Sequence, residues 1–285
     1  MLEYRYLVDE AMRKRLTRLF SGTALFLALC GNVNAHEFWI EPVDFTPELG
    51  DKVEANLRVG QDFKGDILPL IPQMVLFYEA FDNQGMRSPS GEVGDRPALK
   101  VETRAPGLLV IAYQSTPSKV AFDDPDIFKA YLEWEGLDWV LGEHQKRGLP
   151  EAGFSELYAR YPKTLVDVGG DTSGADRATG LQAELVALDN PYALGAGAEM
   201  RVQLFWNGKP EPGRQIKMFS RPAGAEGSMP EVTDHITDAS GQISFNVSPG
   251  TVYMLNSVKM LPVDPPRDDV VWQSFWSSLT FEFPG

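Results

Sequence analysis

The chain holds three histidines, His36, His144 and His235, and a single cysteine, Cys30. One cysteine forms no internal disulfide, and Cys-based zinc sites and iron–sulfur clusters are excluded with it. A metal would have to be held by histidine, carboxylate, methionine or backbone groups. His36 has the most specific position of the three. It follows Gly31-Asn-Val-Asn-Ala35, the small-residue end of a segment that reads as a secretory signal, and cleavage after Ala35 would leave His36 as the new N-terminus. Its α-amine and imidazole could then chelate one divalent ion, a donor pair suited to nickel, copper, cobalt or zinc. Glu37, Glu41 and Asp44 could add oxygen ligands, although Glu37 also reads as an ordinary strand residue.

His235, in Thr233-Asp-His-Ile-Thr237, falls on an expected strand and could complete such a site from the second half of the chain, or serve as a hydrogen-bonded edge-strand residue. The candidate metal set is therefore His36, Glu37 and His235. His144, in Glu143-His-Gln-Lys-Arg147, is expected on the polar side of a helix near its C-terminus, where the helix dipole favours a solvated, cationic imidazole. A copper oxygenase with an N-terminal histidine brace would need one of these two beside His36. Catalysis by other routes has no support. There is no Gly-x-Ser-x-Gly elbow, no Gly-x-x-x-x-Gly-Lys-Ser/Thr loop and no Gly-x-Gly-x-x-Gly after a strand, so no catalytic or nucleotide-binding residue is assigned.

The elements that must position these residues follow from composition and periodicity. The 285 residues carry 26 basic and 40 acidic side chains, a net charge of −14, and no basic stripe of the kind nucleic acid requires. Apolar residues at 43% and aromatics at 11% are ample for a packed core, and 26 Gly with 21 Pro lean toward turn-rich β structure. Residues 1–35 form the expected signal peptide, with Arg13-Lys-Arg-Leu-Thr-Arg18 as its basic region and Leu19–Cys30 as its apolar run. Met12, directly before the basic region, is an alternative start. The apolar run is about half the ~20 residues that a spanning helix needs, and no later stretch is longer, so no membrane span is expected after cleavage. The mature chain is then expected in the periplasm, more acidic still and free of cysteine.

Lys52–Val59 alternates strictly and predicts a half-buried strand; Met74–Phe81 and Gly107–Tyr113 predict two more, giving an N-terminal β-sandwich over 36–120. Residues 121–180 predict a helical insertion and linker. Asp124 caps a helix with Pro125 at its first position and Gly136 at its end; Leu137–Arg147 and Ser155–Val166 suggest two further helices, the second weakened by Pro162, and Asp167–Gly180 reads as a polar linker. From 181 to 285 a second sandwich is expected, with Asn207-Gly208 as a hairpin turn and strands at Ile216–Phe219, His235–Thr237, Ile243–Val247, Val252–Asn256 and Leu279–Phe283. The fold class is mostly β: two β-sandwich domains joined by a short helical insertion. Phe38, Trp39, Trp272 and Trp276 read either as core packing or as the lining of a ligand groove.

Several segments together resemble the bacterial exported family known as domain of unknown function 4198. They are His36-Glu-Phe-Trp-Ile-Glu-Pro42 after the signal, Leu57-Arg-Val-Gly60, Phe128-Lys-Ala-Tyr-Leu132 with Glu135-Gly-Leu-Asp138, Tyr158-Ala-Arg-Tyr161, Asn207-Gly-Lys-Pro210 and Trp276-Ser-Ser-Leu-Thr-Phe281. The resemblance implies a periplasmic component of nickel or cobalt uptake, a divalent transition metal as ligand and a membrane transporter component as partner. Members of that family often carry a histidine before the methionine where this chain has Lys259-Met260, which removes one possible ligand here. Asn207-Gly-Lys-Pro-Glu-Pro-Gly213 and Thr237-Asp-Ala-Ser-Gly-Gln-Ile-Ser-Phe245 give the second half a resemblance to the transthyretin-like or collagen-adhesin B-type sandwich. A structural or adhesion module that binds protein or glycan, with His36 incidental, is the competing reading.

Overall fold

The computed structural model describes residues 37–284. The signal-peptide expectation over 1–35 and the residue His36 lie outside the described residues. The first strands are β1 (Glu37–Pro42), β2 (Lys52–Gln61), β3 (Lys64–Leu68), β4 (Val75–Asp82), β5 (Gly85–Arg87), β6 (Leu99–Glu102), β7 (Gly107–Ser115) and β8 (Ser118–Phe122). Helices α1 (Pro125–Trp134) and α2 (Trp139–Lys146) follow, then β9 (Phe154–Val168), β10 (Ala183–Ala187), β11 (Glu199–Trp206) and β12 (Lys209–Pro210). The chain closes with β13 (Gln215–Pro222), β14 (Glu231–Ile236), β15 (Gln242–Asn246), β16 (Thr251–Arg267) and β17 (Val270–Phe283). The protein is mostly β, as its alternating runs and turn residues require.

A nine-stranded sheet in the order β14-β13-β16-β17-β9-β7-β4-β5, with β8 also on β9, takes strands from both halves of the chain. One of its faces carries the four-stranded sheet of β1, β2, β3 and β6 beside the two helices. The other carries the four-stranded sheet of β10, β11, β12 and β15. Strand periodicity sorts the side chains between these layers. On β17, Phe275, Leu279 and Phe281 enter the core shared with Leu185, Met200 and Val202, whereas Trp272 and Trp276 point the other way, onto Phe128, Tyr131 and Leu132 of α1.

The turn and cap chemistry read in the sequence is realised in space. The Asp124 side chain accepts a hydrogen bond from the Asp126 N–H, at 2.9 Å, with Pro125 opening α1. Asn207 and Gly208 take positive φ, at 49° and 71°, between β11 and β12, as a type I′ hairpin turn demands.

Ser155–Val166 is a strand, not a helix. Its Tyr158, Tyr161 and Leu165 fit a helical stripe, but β9 is buried on both faces, so it lacks the polar alternation that marks a strand exposed on one side. Partner strands on both edges override the local pattern. Pro162, which argued against a continuous helix, sits inside β9 opposite Ser278. Asp167 and Val168 belong to that strand too, and the rest of the expected linker, 169–180, carries no regular structure but is tied down by Asp176.

Among the described residues no helix is long and apolar enough to cross a membrane. Leu279, fully buried where β17 meets the core under β10 and β11, tests the sandwich. Leu279→Ala is expected to cost about 2–5 kcal/mol in denaturant unfolding, because it removes buried methyl groups and leaves a cavity.

A buried carboxylate cluster at the first strand

The chain enters the fold on β1, where all six residues are buried. Successive side chains point in opposite directions. Phe38 and Ile40 join the core under β7 and β9, while Glu37, Trp39 and Glu41 face the ends of β13 and β16. Around Glu37 the fold gathers four more polar groups. Glu135 comes from the C-terminal end of α1, where Gly136 takes φ +66° to turn the chain; a Cβ there would also meet the Gln215 side chain at 2.5 Å. Lys217 comes from β13, Asp234 from β14 and Asn256 from β16. Lys217 and Asp234 are direct cross-strand partners, an opposite-charge pair that supports the register.

The contacts are specific. Trp134 Nε1 donates to Glu37 Oε1 at 3.4 Å, and Asn256 Nδ2 donates to Glu135 Oε2 at 3.1 Å. Lys217 Nζ donates to Asp234 Oδ1 at 2.7 Å and lies 4.0 Å from the centre of the Trp134 ring. Glu37 and Glu135 are 1% and 4% exposed, and Glu37 Oε2 and Glu135 Oε1 are buried with no hydrogen-bond partner among the described residues. Burial pushes the Glu37 carboxyl up to about 7. Burial, then the charge of Glu37, holds the Glu135 carboxyl well above the usual range, against the pull of Lys217. Each of these two buried oxygens thus lacks the partner that a proton or a cation could supply.

The other candidate ligands are dispersed. Glu41 is held by Arg58 and Arg221 in a buried ion pair, with the Arg221 guanidinium 4.8 Å from the Phe63 ring. Asp44 accepts from the Thr46 N–H in an exposed turn. His235 pairs with Ile216, so its side chain lies on the opposite face of the sheet from Lys217 and Asp234. There its ring sits 6.1 Å from Phe245 and 3.1 Å from the Thr233 hydroxyl, and burial lowers its pKa. The structure does not bring His235 to Glu37, because the two-residue period of β14 sends neighbouring side chains to opposite faces.

His144 is not solvated. On α2 it falls one turn after Val140, on the face packed against Phe128 and Phe154. Trp272 Nε1 donates to its Nδ1 at 2.9 Å, so Nε2 carries the proton it donates to the Pro150 carbonyl at 2.8 Å. Both ring nitrogens are engaged, which leaves none for a metal. Phe38, Trp39, Trp272 and Trp276 are all core residues. Among the described residues no three His, Cys, Asp or Glu side chains form a group able to hold a metal ion. A metal at this site would depend on His36, and the unpartnered oxygens of Glu37 and Glu135 fit such an ion as hard donors. Glu135 and Lys217 were not visible in the sequence as site residues. The only local signal was Glu135 at the helix-ending Gly136.

Fold and cluster define a mostly β protein with a buried acidic site where the chain enters its first strand. The chain belongs to the family described as Domain of unknown function (DUF4198), which it matches over residues 33–259. No curated protein matches it. Among solved structures it is similar to Salmonella alpha-2-macroglobulin reacted with methylamine, at 12% identity over 86% of this chain and 14% of that chain with a TM-score of 0.21. It is also similar to trypsin-activated alpha-2-macroglobulin from Escherichia coli, at 11% identity over 88% of this chain and 16% of that chain, TM-score 0.21. The chain therefore spans less than a quarter of the length of those proteins.

The raised Glu37 carboxyl has a defined sign in stability. Between its unfolded value near 4.5 and its folded value of about 7, the native state holds a proton that the unfolded chain releases, so stability falls as pH rises through that window. In the presence of a chelator, Glu37→Gln is expected to flatten this fall by up to ~1.4 kcal/mol per pH unit, read from urea midpoints across the window.

Proposed function

We propose that this is an exported, periplasmic binding protein that holds a divalent transition metal, nickel or cobalt, at the start of its mature chain and delivers it to a membrane transporter component. Binding, not catalysis, is the activity we assign. The observation that carries the reading is the unpartnered, buried oxygen of Glu37, one peptide bond from His36. A mature N-terminus at His36 would bring an amine and an imidazole beside a carboxylate one of whose oxygens lacks a partner. His36 and Glu37 would hold the ion, with Glu135 as a further oxygen donor. The ion is cargo, so the chain's task is to desolvate, select and release it. A net charge of −14 supports this use, since an acidic surface raises the local concentration of cations within about 8–10 Å at physiological salt. The layering of β10, β11, β12 and β15 on β13, β14, β16 and β17 supports a transthyretin-like reading of the second half.

N-terminal sequencing of the exported protein is expected to begin at His36. Isothermal titration of that protein with Ni²⁺ and Co²⁺ is expected to show one site, lost when a single residue precedes His36. Glu37→Gln, and Trp134→Phe through its hydrogen bond to Glu37, are expected to weaken binding by about 10–100-fold. Equal affinity of the mature and extended proteins would remove the terminal chelate.

A further inference from the structure

Arg160 belongs to Tyr158-Ala-Arg-Tyr161, a segment that the metal reading leaves without a role. It lies on β9, where the two-residue period sends it and Tyr158 to the same face of the sheet, the one that meets Phe38 of β1. Its Cζ is 5.0 Å from the centre of the Phe38 ring and 4.9 Å from that of Tyr158. The backbone beneath it is fixed by the Arg160 N–H, which donates to the Ser115 hydroxyl at 3.0 Å. The residue is partly exposed, yet its Nε is buried with no hydrogen-bond partner, and no carboxylate pairs with the guanidinium among the described residues. Other interior cations are treated differently. Arg58 and Arg221 meet Glu41, Arg87 meets Asp82, Lys217 meets Asp234 and Lys163 meets Asp176 and Glu184. Arg147, which also lies against an aromatic ring, that of Trp272, donates to the carbonyls of Val271 and Val263 at 3.0 and 2.6 Å. Burial draws the Arg160 pKa below the usual arginine value, and the titratable groups beside it are the tyrosines Tyr158 and Tyr113, not carboxylates.

An aromatic ring attracts a cation over its face but accepts none of the N–H bonds that a guanidinium directs in its own plane. A desolvated charge with those donors unmet is costly, and an anionic acceptor relieves that cost. We propose that Arg160 anchors a binding site for the carboxylate group of a small organic acid, with the Phe38 and Tyr158 rings as walls for its apolar part. A carboxylate is planar, carries one charge and presents two oxygens that match the guanidinium fork, so a bidentate pair would meet donors that no described residue meets. A phosphate dianion suits the site less, because a single cation offsets only part of its charge. This site goes beyond the metal reading and does not rest on it, since Phe38 and Glu37 are neighbours on β1 and point to opposite faces.

A ligand that binds only the native state raises the unfolding temperature, so thermal unfolding reads the site directly. The purified protein, kept metal-free with a chelator, is titrated at constant pH and ionic strength with sodium benzoate, sodium acetate, sodium phosphate and the neutral amide benzamide. Benzoate is expected to raise the unfolding midpoint saturably and acetate to raise it at higher concentration, while phosphate and benzamide leave it unchanged. Arg160→Gln is expected to weaken benzoate binding by about 10-fold or more, because it removes a charge-assisted bidentate pair. Arg160→Lys, which keeps the charge and loses the fork, is expected to weaken it as well. Should neither variant fold, the contrast between benzoate and benzamide on the wild-type protein decides alone. No shift with either carboxylate, an equal shift with benzamide, or a shift that persists undiminished in Arg160→Gln overturns the proposal. An equal shift with phosphate overturns the assignment to carboxylates, and a shift with acetate but not benzoate overturns the part given to the rings.

Discussion

The parallel pairing of β9 with β17, running from Ser155 beside Val270 to Thr164 beside Thr280 with one register shift between Val270 and Trp272, is the constraint on which the remaining architecture depends. Parallel neighbours cannot be joined by a hairpin and need a long crossover. Here the crossover runs from 169 to 269 and contains all the strands of the second half except β17 itself. The last strand therefore closes the sheet against β9, and β9 in turn pairs with β7 and β8. Each of the two central strands is buried on both faces, so each must supply side chains to two cores, and neither half completes its packing without the other.

That double burial forces polar groups into the interior, and the fold gives most of them a local partner. Glu156 on β9 is held by the Ser274 hydroxyl, itself an acceptor for Trp276 Nε1, and burial pushes its carboxyl up to about 8. Lys163 meets two carboxylates. Arg160 lies about 5 Å from the Phe38 and Tyr158 rings. Glu41 is clamped by Arg58 and Arg221. Buried pairs of this kind add little net stability, yet removal of one partner is costly because the other is left charged and dry. The cluster around Glu37 and Glu135 keeps two carboxylate oxygens unpartnered next to β1, and among the described residues Glu156 Oε2 and Asp167 Oδ1 share that state elsewhere in the body. What sets the cluster apart from the structural ion pairs is its place beside β1.

Much of the fold was legible in the residues. Strict alternation from Lys52 to Val59 marked β2, Asp124-Pro125 marked the start of α1 and Asn207-Gly208 marked a hairpin, because each signal depends on neighbours within a few positions. The site was legible in part. Glu37 was marked by its place after an expected cleavage motif, whereas Glu135, Lys217, Asp234 and Asn256 converge from four elements with nothing in their local spacing to announce it. His144 shows the same limit from the other side: it occurs among polar residues on a short helix, and only the position of Trp272, 128 residues later, makes it a buried acceptor.

By itself the sequence determined a mostly β chain, its caps and turns and an acidic stretch without cysteine after Cys30, since these rest on composition and short-range backbone preferences. Tertiary structure alone decided that 154–168 is a central strand, that His235 faces away from Glu37 and that Lys163 meets Asp176 and Glu184. Strand pairing and the two-residue period set those outcomes through contacts between segments far apart in the chain, where no local pattern reaches.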